Sequence, residues 1–478
     1  MADSEGLAYA LVTPYSLHKS RTGGILARLL WANVKLVAAR MYAPRHGSDF
    51  IQRYCDAIYD PDERQIPLRY QKLLIDYVIE NLGKPNVRGI SNRLAVLIFR
   101  GPNALREITQ AVGHISQHVR GDNVRGTFGD FFREDPATVA GCPEYQERKR
   151  LLDRYSRLRD ADLREPRNDF FEPAVLTATT PEMNQAHLKL FRDHSYSDGG
   201  FVLDALDGVD PKDIETSIVI LKPESFRHRN PLPGNLMDFF SRAGMFITAM
   251  KVLELSVAEA TEFYSLKLPQ FRGELKGMVA SRARRILKRA RLLAHESVEQ
   301  LGADASVAFR PRNALAAARA AEEVFCREPG PGQVKPPVVE RIYAELRGRL
   351  TDLQPPESFY EELAEDLKDI NAQAEFDELI QYMTGKDPQT GEPLQAGEET
   401  HCMALQYSGP DALSVIRKRL KELRNVYGQN ILQNRAHASD PEEDPLKELK
   451  VLGMPASPEG EARPCDVEHV VDEVYGRE

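Results

Sequence analysis

An internal repeat limits what this chain can fold into more than any other feature. Residues 7–45 and residues 216–255 carry the same succession of signals. Each begins with a short apolar run, LAYALV or TSIVIL, that reads as a buried strand. A polar turn containing Pro follows, then Leu, Ile and Phe at helical spacing, then a second apolar strand. The likeness continues downstream. LAVLIFRGPNALREI (94–108) matches CMALQYSGPDALSVI (402–416), including a Gly-Pro-x-Ala-Leu step from a strand into a helix. Matched units this far apart mean two copies of one domain.

The order of elements in each copy predicts βαββαβ, so the expected class is α+β, with two ferredoxin-like sandwiches. The second copy is interrupted. Residues 266–375 are rich in Ala, Leu, Arg and Glu at helical spacing, with breaks at EPGPGQVKPP (328–337) and LQPPES (353–358), and predict a mostly helical insertion. A shorter polar insertion, about residues 131–172, falls late in the first copy. The expected domains are therefore 1–210 and 211–452, followed by a flexible tail at 453–478 that opens GMPASPEGEARPCD. A chain of 478 residues is long enough to be so divided.

Charge and cysteine usage narrow the function class. The formal net charge of −9 argues against a nonspecific nucleic-acid binder. One segment runs against that balance. LKGMVASRARRILKRARLLAH (275–295) holds Lys276, Arg282, Arg284, Arg285, Lys288, Arg289 and Arg291 with no acidic residue. Met278, Val279, Ile286, Leu287, Leu292 and Leu293 give it an apolar stripe. It predicts a helix packed on its domain with a solvated basic face. Its functional alternatives are a surface for an acidic partner, RNA or anionic lipid, or added positive field over a bound phosphate. The five cysteines are scattered, with no CxxC pair, which fits a reducing compartment. The N-terminus lacks the pattern of a signal peptide, and no apolar run is long enough to span a membrane. A cytoplasmic protein is expected.

The chemistry centres on NRAHASDPEE (434–443). By residue type alone, His437 could be a buried structural histidine, a metal ligand, a general base or a nucleophile. It lies just before a helix start marked by Asp440 and Pro441, or by Asp444 and Pro445. A helix N-terminus favours an anion, and no second His or Cys stands at ligand spacing. Glu448 follows His437 by eleven residues, so a helix can carry its carboxylate back toward the imidazole.

The stretch resembles the active-site signature of nucleoside diphosphate kinases, Asn-x-x-His-(Gly/Ala)-Ser-Asp, with Asn434, His437, Ala438, Ser439 and Asp440 in place. Further motifs of that family appear in order. Ile220-Leu221-Lys222-Pro223-Glu224 resembles its strand ending in Lys-Pro-Asp, with Glu for Asp. Tyr264 in ATEFYSLK, the segment FDELIQYMTG (376–385) with Phe376 and Leu379, Arg417, and Arg424 in RNVYG follow. The resemblance covers residues 216–265 and 376–452. It implies transfer of the γ-phosphate of ATP to nucleoside diphosphates through a phosphohistidine on His437. It also implies roles. Glu448 and Ser439 hold the imidazole, and Tyr264 bonds the phosphoryl group. Lys222, Arg417 and Arg424 clamp the phosphates, Lys222 and Asn434 also contact the ribose, and Phe376 and Leu379 flank the base. Mg²⁺ bridges phosphate oxygens and needs no protein ligand set. One departure stands out: Leu423 directly precedes Arg424, so a loop that the family carries there, with a phosphate-contacting Thr, is missing. That loop also supports hexamers in relatives. A homo-oligomer and an intramolecular pseudo-dimer both remain open, as does a non-catalytic nucleotide-binding scaffold.

The first copy reads as a degenerate version. His46-Gly47-Ser48-Asp49 repeats the signature's text, yet Ala43 stands where Asn should and the stretch follows the second strand, so it reads as the turn before a helix. The position of His437 is expected in AVLTATTPEMNQAHLKLF (174–191), with Thr177 for the His and Ala174 for the Asn. Thr13 stands for Lys222 and Thr109 for Arg417, while Arg125 matches the Arg424 element. The His in DHSYSD (193–198) is a weaker candidate. A Thr hydroxyl cannot replace an imidazole without an activating base, so this copy is expected to be catalytically dead.

Overall fold

The structure, a computed structural model, describes the chain except residues 1–4, 63–65, 116–120, 132–170, 207, 209, 228, 302–309, 326–333, 335, 395–399, 429–433, 440–444, 456–465 and 477–478. The insertion expected at 131–172 lies almost wholly outside the described residues. The architecture is α+β, with two four-stranded antiparallel sheets and many helices. The first sheet uses β1 (Glu5–Val12), β2 (Lys35–Tyr42), β3 (Leu94–Pro102) and β4 (Val175–Leu176). Helices α1 (Thr22–Leu29), α2 (Ala104–Val112) and α3 (Pro181–Asp193) accompany it. The second sheet uses β5 (Glu215–Leu221), β6 (Phe246–Leu253), β7 (Cys402–Gly409) and β8 (Ala436–Ala438). Its chain runs through α4 (Leu232–Ser241), α5 (Val257–Phe263), α6 (Lys267–Leu301), α7 (Glu357–Thr384), α8 (Ala412–Tyr427) and α9 (Pro445–Leu452), then α10 (Asp466–Tyr475).

The two sheets have one strand order. It is β2-β3-β1-β4 in the first and, read from the other edge, β6-β7-β5-β8 in the second. The likeness reaches single residues. The second strand of each sheet bulges at the same place, between Leu36 and Ala38 and between Ile247 and Ala249. Left-handed non-glycine residues recur at matched sites, Asn103 with Asp411 and Ala174 with Arg435. Such backbone is costly for residues with a Cβ, so its recurrence marks a shared constraint rather than chance.

Contacts divide the chain along the insertion rather than along the repeat. One unit holds both sheets and comprises residues 1–253, 401–426 and 436–478; the other comprises 254–400 and 427–435. The second unit is thus wider than the expected 266–375. It is helical, with a core of Val279, Ile286, Leu287, Leu315, Ile342, Leu346, Leu363 and Leu367. The basic segment forms part of α6, and much of its charge is spent inside this unit. Lys276 pairs with Glu365 at 2.6 Å, Arg284 meets Glu357 and Arg282 meets Glu322, and just before the segment Arg272 pairs with Asp369 at 2.8 Å. Leu292, counted in the apolar stripe, is instead exposed. No helix among the described residues is long and apolar enough to cross a membrane.

Within the first unit the two sheets meet at edge strands β2 and β6. The connecting chain runs along both: Gly200 N–H donates to Met41 O at 3.0 Å and Val202 N–H to Thr248 O at 2.9 Å. Asp466 closes the seam, since one of its oxygens accepts from Ala39 N–H and from Val252 N–H, each at 2.8 Å. Edge groups that could template another strand are thereby occupied. Helices α1 and α4 also cross here. A Cβ on Gly23 would sit 2.3 Å from Asp238 N, and one on Gly234 would sit 2.2 Å from Ala27 N, so only glycine allows the approach.

The tail needs correction. Residues 466–475, expected to be flexible, form α10, whose Val467, Val470 and Val471 are buried with Tyr9, Leu11, Tyr42 and Phe191 of the first copy. The end of the chain, after the second copy, completes the core of the first.

Candidate active site

The site grows from the pairing of β8 with β5. His437 lies opposite Ile220, Ala436 opposite Leu221 and Ala438 opposite Val219. Alternation along a strand sends the imidazole to one face and the two alanine methyl groups to the other. Arg435, at φ 71, supplies the turn into this short strand. Lys222 comes one residue after the Leu221–Ala436 pair, at the end of β5, and is buried.

Helix α9 then brings Glu448 back to the histidine. Glu448 Oε1 lies 3.1 Å from His437 Nε2, and Ser439 Oγ donates to Glu448 Oε2 at 2.5 Å. Ser439 is itself fixed to β5, because its hydroxyl accepts from Ile218 N–H at 3.1 Å and its own N–H donates to Ile218 O at 3.0 Å. Both carboxylate oxygens are therefore used, and the imidazole plane is set. His437, Ser439 and Glu448 are all buried, His437 at only 4% exposure, so water competes little for these bonds.

Two arginines bracket the histidine. Arg417 and Arg424 stand seven residues apart on α8, two turns along one face. Arg417 donates to Ala438 O at 3.3 Å and Arg424 to Ala436 O at 3.1 Å, the carbonyls on either side of His437. Both are half-buried. The arrangement sets an imidazole, held by a carboxylate, between two guanidinium groups with an ammonium at the neighbouring strand end. Such a group can attack phosphorus while cations offset charge on phosphoryl oxygens.

Six predicted residues thus converge: His437, Ser439, Glu448, Lys222, Arg417 and Arg424. The other four belong to the second unit. Tyr264 is buried at the C-terminal end of α5, Phe376 and Leu379 are buried on α7, and Asn434 is half-buried.

The first copy corrects a register. Leu11 pairs with Leu176 as Ile220 pairs with His437, and Val12 pairs with Val175 as Leu221 pairs with Ala436. Leu176, not Thr177, therefore holds the place of His437, and Pro173, not Ala174, that of Asn434. A slip of one residue reverses which side chains face the site. Arg125 confirms the frame by donating to Val175 O at 3.2 Å, the match of Arg424 to Ala436 O. The spacing of eleven residues that links His437 to Glu448, carried to Leu176, reaches His187; that signal was present in the sequence. Thr13, in the place of Lys222, donates to Glu172 at 2.7 Å, and Tyr77 donates to the other oxygen of that carboxylate at 2.7 Å. The copied text at residues 46–49 is a turn, with Gly47 at φ 87 and Asp49 preceding the helix Phe50–Ile58. His194 of DHSYSD lies between two carboxylates, 2.9 Å from Asp49 and 2.6 Å from Asp198, and ties that turn to the connecting chain.

No protein-family model matches the chain. A stretch of 69 residues, 14% of the chain, is 42% identical to a nucleoside diphosphate kinase of Desulfatibacillum aliphaticivorans. The matched stretch spans about half, 49%, of that protein's length.

Proposed function

We propose that the chain is a nucleoside diphosphate kinase with one active site, on the second copy, working through a phosphohistidine at His437. The observation that carries this reading is the contact between His437 Nε2 and Glu448, with Ser439 bracing the carboxylate. A neutral imidazole that donates from Nε2 to a carboxylate keeps its lone pair on Nδ1. That lone pair forms the bond to the γ-phosphorus of ATP as the bond to the bridging oxygen breaks, and ADP leaves with the electron pair. A terminal phosphate oxygen of a nucleoside diphosphate then attacks the same phosphorus and frees the imidazole, a ping-pong course. Glu448 steadies the imidazolium charge that grows during attack. Arg417, Arg424 and Lys222 offset charge on the transferring oxygens.

Among the described residues, the charged groups placed about His437 are Lys222, Arg417, Arg424 and Glu448, and Glu448 is engaged by His437 and Ser439. Mg²⁺ fits such a site as an ion carried on the nucleotide's phosphates, where it would spread their charge. The shared strand order of the two sheets supports reading each copy as a ferredoxin-like domain of this family. The seam at β2 and β6 supports an intramolecular pseudo-dimer. Tyr264, Phe376, Leu379 and Asn434 keep their proposed contacts with phosphoryl group, base and ribose, and the cell compartment proposed is the cytoplasm.

Incubation with Mg-ATP labelled in the γ position should leave acid-labile phosphate on the parent protein. His437→Ala should abolish both the label and ATP-to-dTDP transfer, by about 1,000-fold or more as for loss of a covalent nucleophile. Transfer by His437→Ala at the parent rate would end the proposal. ADP binding by the parent with no transfer would point to the scaffold reading instead.

A further inference from the structure

We infer that Lys251 is a positioning residue for His437, acting through the helix that carries Glu448. The inference rests on the phosphohistidine reading above. Helix α9 has only eight residues, too few to hold a fixed place without anchors. Its C-terminal end is closed by two bonds: Met454 N–H donates to Leu449 O at 2.9 Å and Gly453 N–H to Lys450 O at 3.2 Å, with Gly453 at φ 60. Lys251, on β6, reaches that end from outside. Its Nζ donates to Leu452 O at 2.9 Å and to Gly453 O at 3.4 Å. A cation there also opposes the negative end of the helix dipole.

Glu448 lies one turn before Leu452, so a shift of the helix end moves its carboxylate. The Nε2–Oε1 separation of 3.1 Å is already near the long limit of a good hydrogen bond and tolerates little further movement. Losing the Lys251 anchor should therefore loosen the group that orients the imidazole.

The repeat supplies a control. Arg40 lies opposite Val96 on β3 as Lys251 lies opposite Ala404 on β7. It too reaches the end of the helix after the fourth strand, donating from Nε to Ser195 O at 2.8 Å, just beyond α3. Both copies thus use a cation at one register to hold the same helix end. Only in the second does that helix carry a carboxylate against a histidine. Burial raises the pKa of the Asp466 carboxyl and both cations lower it, so a change at either alters its surroundings.

The experiment compares Lys251→Met, Lys251→Arg and Arg40→Met in the full chain. Lys251→Met should lower kcat for ATP-to-dTDP transfer about 10-fold, less than the 100-fold that a full ångström of misplacement costs, with KM nearly unchanged. Lys251→Arg should restore most of it. Arg40→Met should leave kcat at the parent value while lowering stability. Amide hydrogen exchange within residues 447–452 should quicken in Lys251→Met and not in Arg40→Met. Parent kcat in Lys251→Met, or an equal fall in Arg40→Met, would overturn the inference. If the parent transfers no phosphate, the phosphohistidine reading fails separately. Exchange in α9 then still decides whether Lys251 holds that helix, and unchanged exchange would overturn it.

Discussion

The two sheets share one strand order and differ in the side chains it presents. At the middle of the fourth strand the first copy has Leu176 and the second His437. Eleven residues on, the helix carries His187 in one and Glu448 in the other. Thr13 stands against Lys222 and Thr109 against Arg417, while Arg125 and Arg424 alone agree. The features held in common act on the backbone: the bulge, the left-handed residue before the fourth strand, and the arginine on that strand's carbonyl. They recur although the other side chains at the candidate site do not. At the matched helix position the first sheet has an inward network instead. There His187 Nδ1 lies 2.6 Å from Tyr9 Oη, and its ring stacks on Tyr54 with centroids 3.9 Å apart. Fold and site are therefore separable in this chain.

The largest test of that view removes α10. Residues 466–475 follow the second copy in sequence but fill the core of the first. Ending the chain at residue 455 uncovers the places of Val467, Val470 and Val471. At about 1.5–3 kcal/mol for each buried side chain, roughly 5 kcal/mol is lost, most of it from the first copy. Urea unfolding followed by Trp31, the chain's one tryptophan and a residue of the first copy, should move to clearly lower urea. Hydrogen exchange should rise in β1 and β2 before it rises in β7. A uniform loss across both sheets would mean that the copies do not differ in their need for this helix.

A smaller effect concerns charge at the matched helix position. Burial pushes the pKa of His187 down from 6.5 to about 4. The folded state thus binds its proton less readily than the unfolded chain does. The resulting stability is complete above pH 6.5 and is lost as pH falls toward 4. A fall of this size corresponds to about 3 kcal/mol. The Trp31-reported stability should decline between pH 6.5 and 4, and His187→Gln should flatten that decline. Equal slopes in parent and variant would show that the inward network is not what acid disrupts.

How much of this was legible beforehand depends on the kind of signal. Strands β1, β3, β5 and β7 are long apolar runs, and the Gly-Pro-x-Ala-Leu steps mark the ends of β3 and β7. His437, Ser439 and Glu448 were legible because a motif and a spacing name them together. The register of β4 was not, because a two-residue strand offers no alternation to read, and only its partners Leu11 and Val12 decide it. The α10 helix was hidden by the Pro- and Gly-rich run before it, although Val467, Val470 and Val471 already had helical spacing. Nothing local marked Asp466 as the acceptor for two edge strands, since its donors Ala39 and Val252 are more than 200 residues away from it.

The smallest expected effect tests the comparison most directly. Leu176→His puts an imidazole at the register of His437, and in a His437→Ala background it asks whether the frame alone suffices. It should restore no measurable transfer. The new side chain would project from the same strand position, but the residue eleven positions on is His187, which Tyr9 and the Tyr54 carbonyl already engage and which carries no negative charge. Thr13 would offer a hydroxyl already given to Glu172 in place of an ammonium. Thr109, bonded to Leu105 O and Ala178 O, would bring no charge to a phosphoryl oxygen. Stability should fall by about 1–3 kcal/mol, because a polar ring replaces a fully buried leucine. Labelled phosphate on this double variant would mean that a histidine on the fourth strand needs neither its carboxylate nor its cations, and the separation of site from frame would not hold.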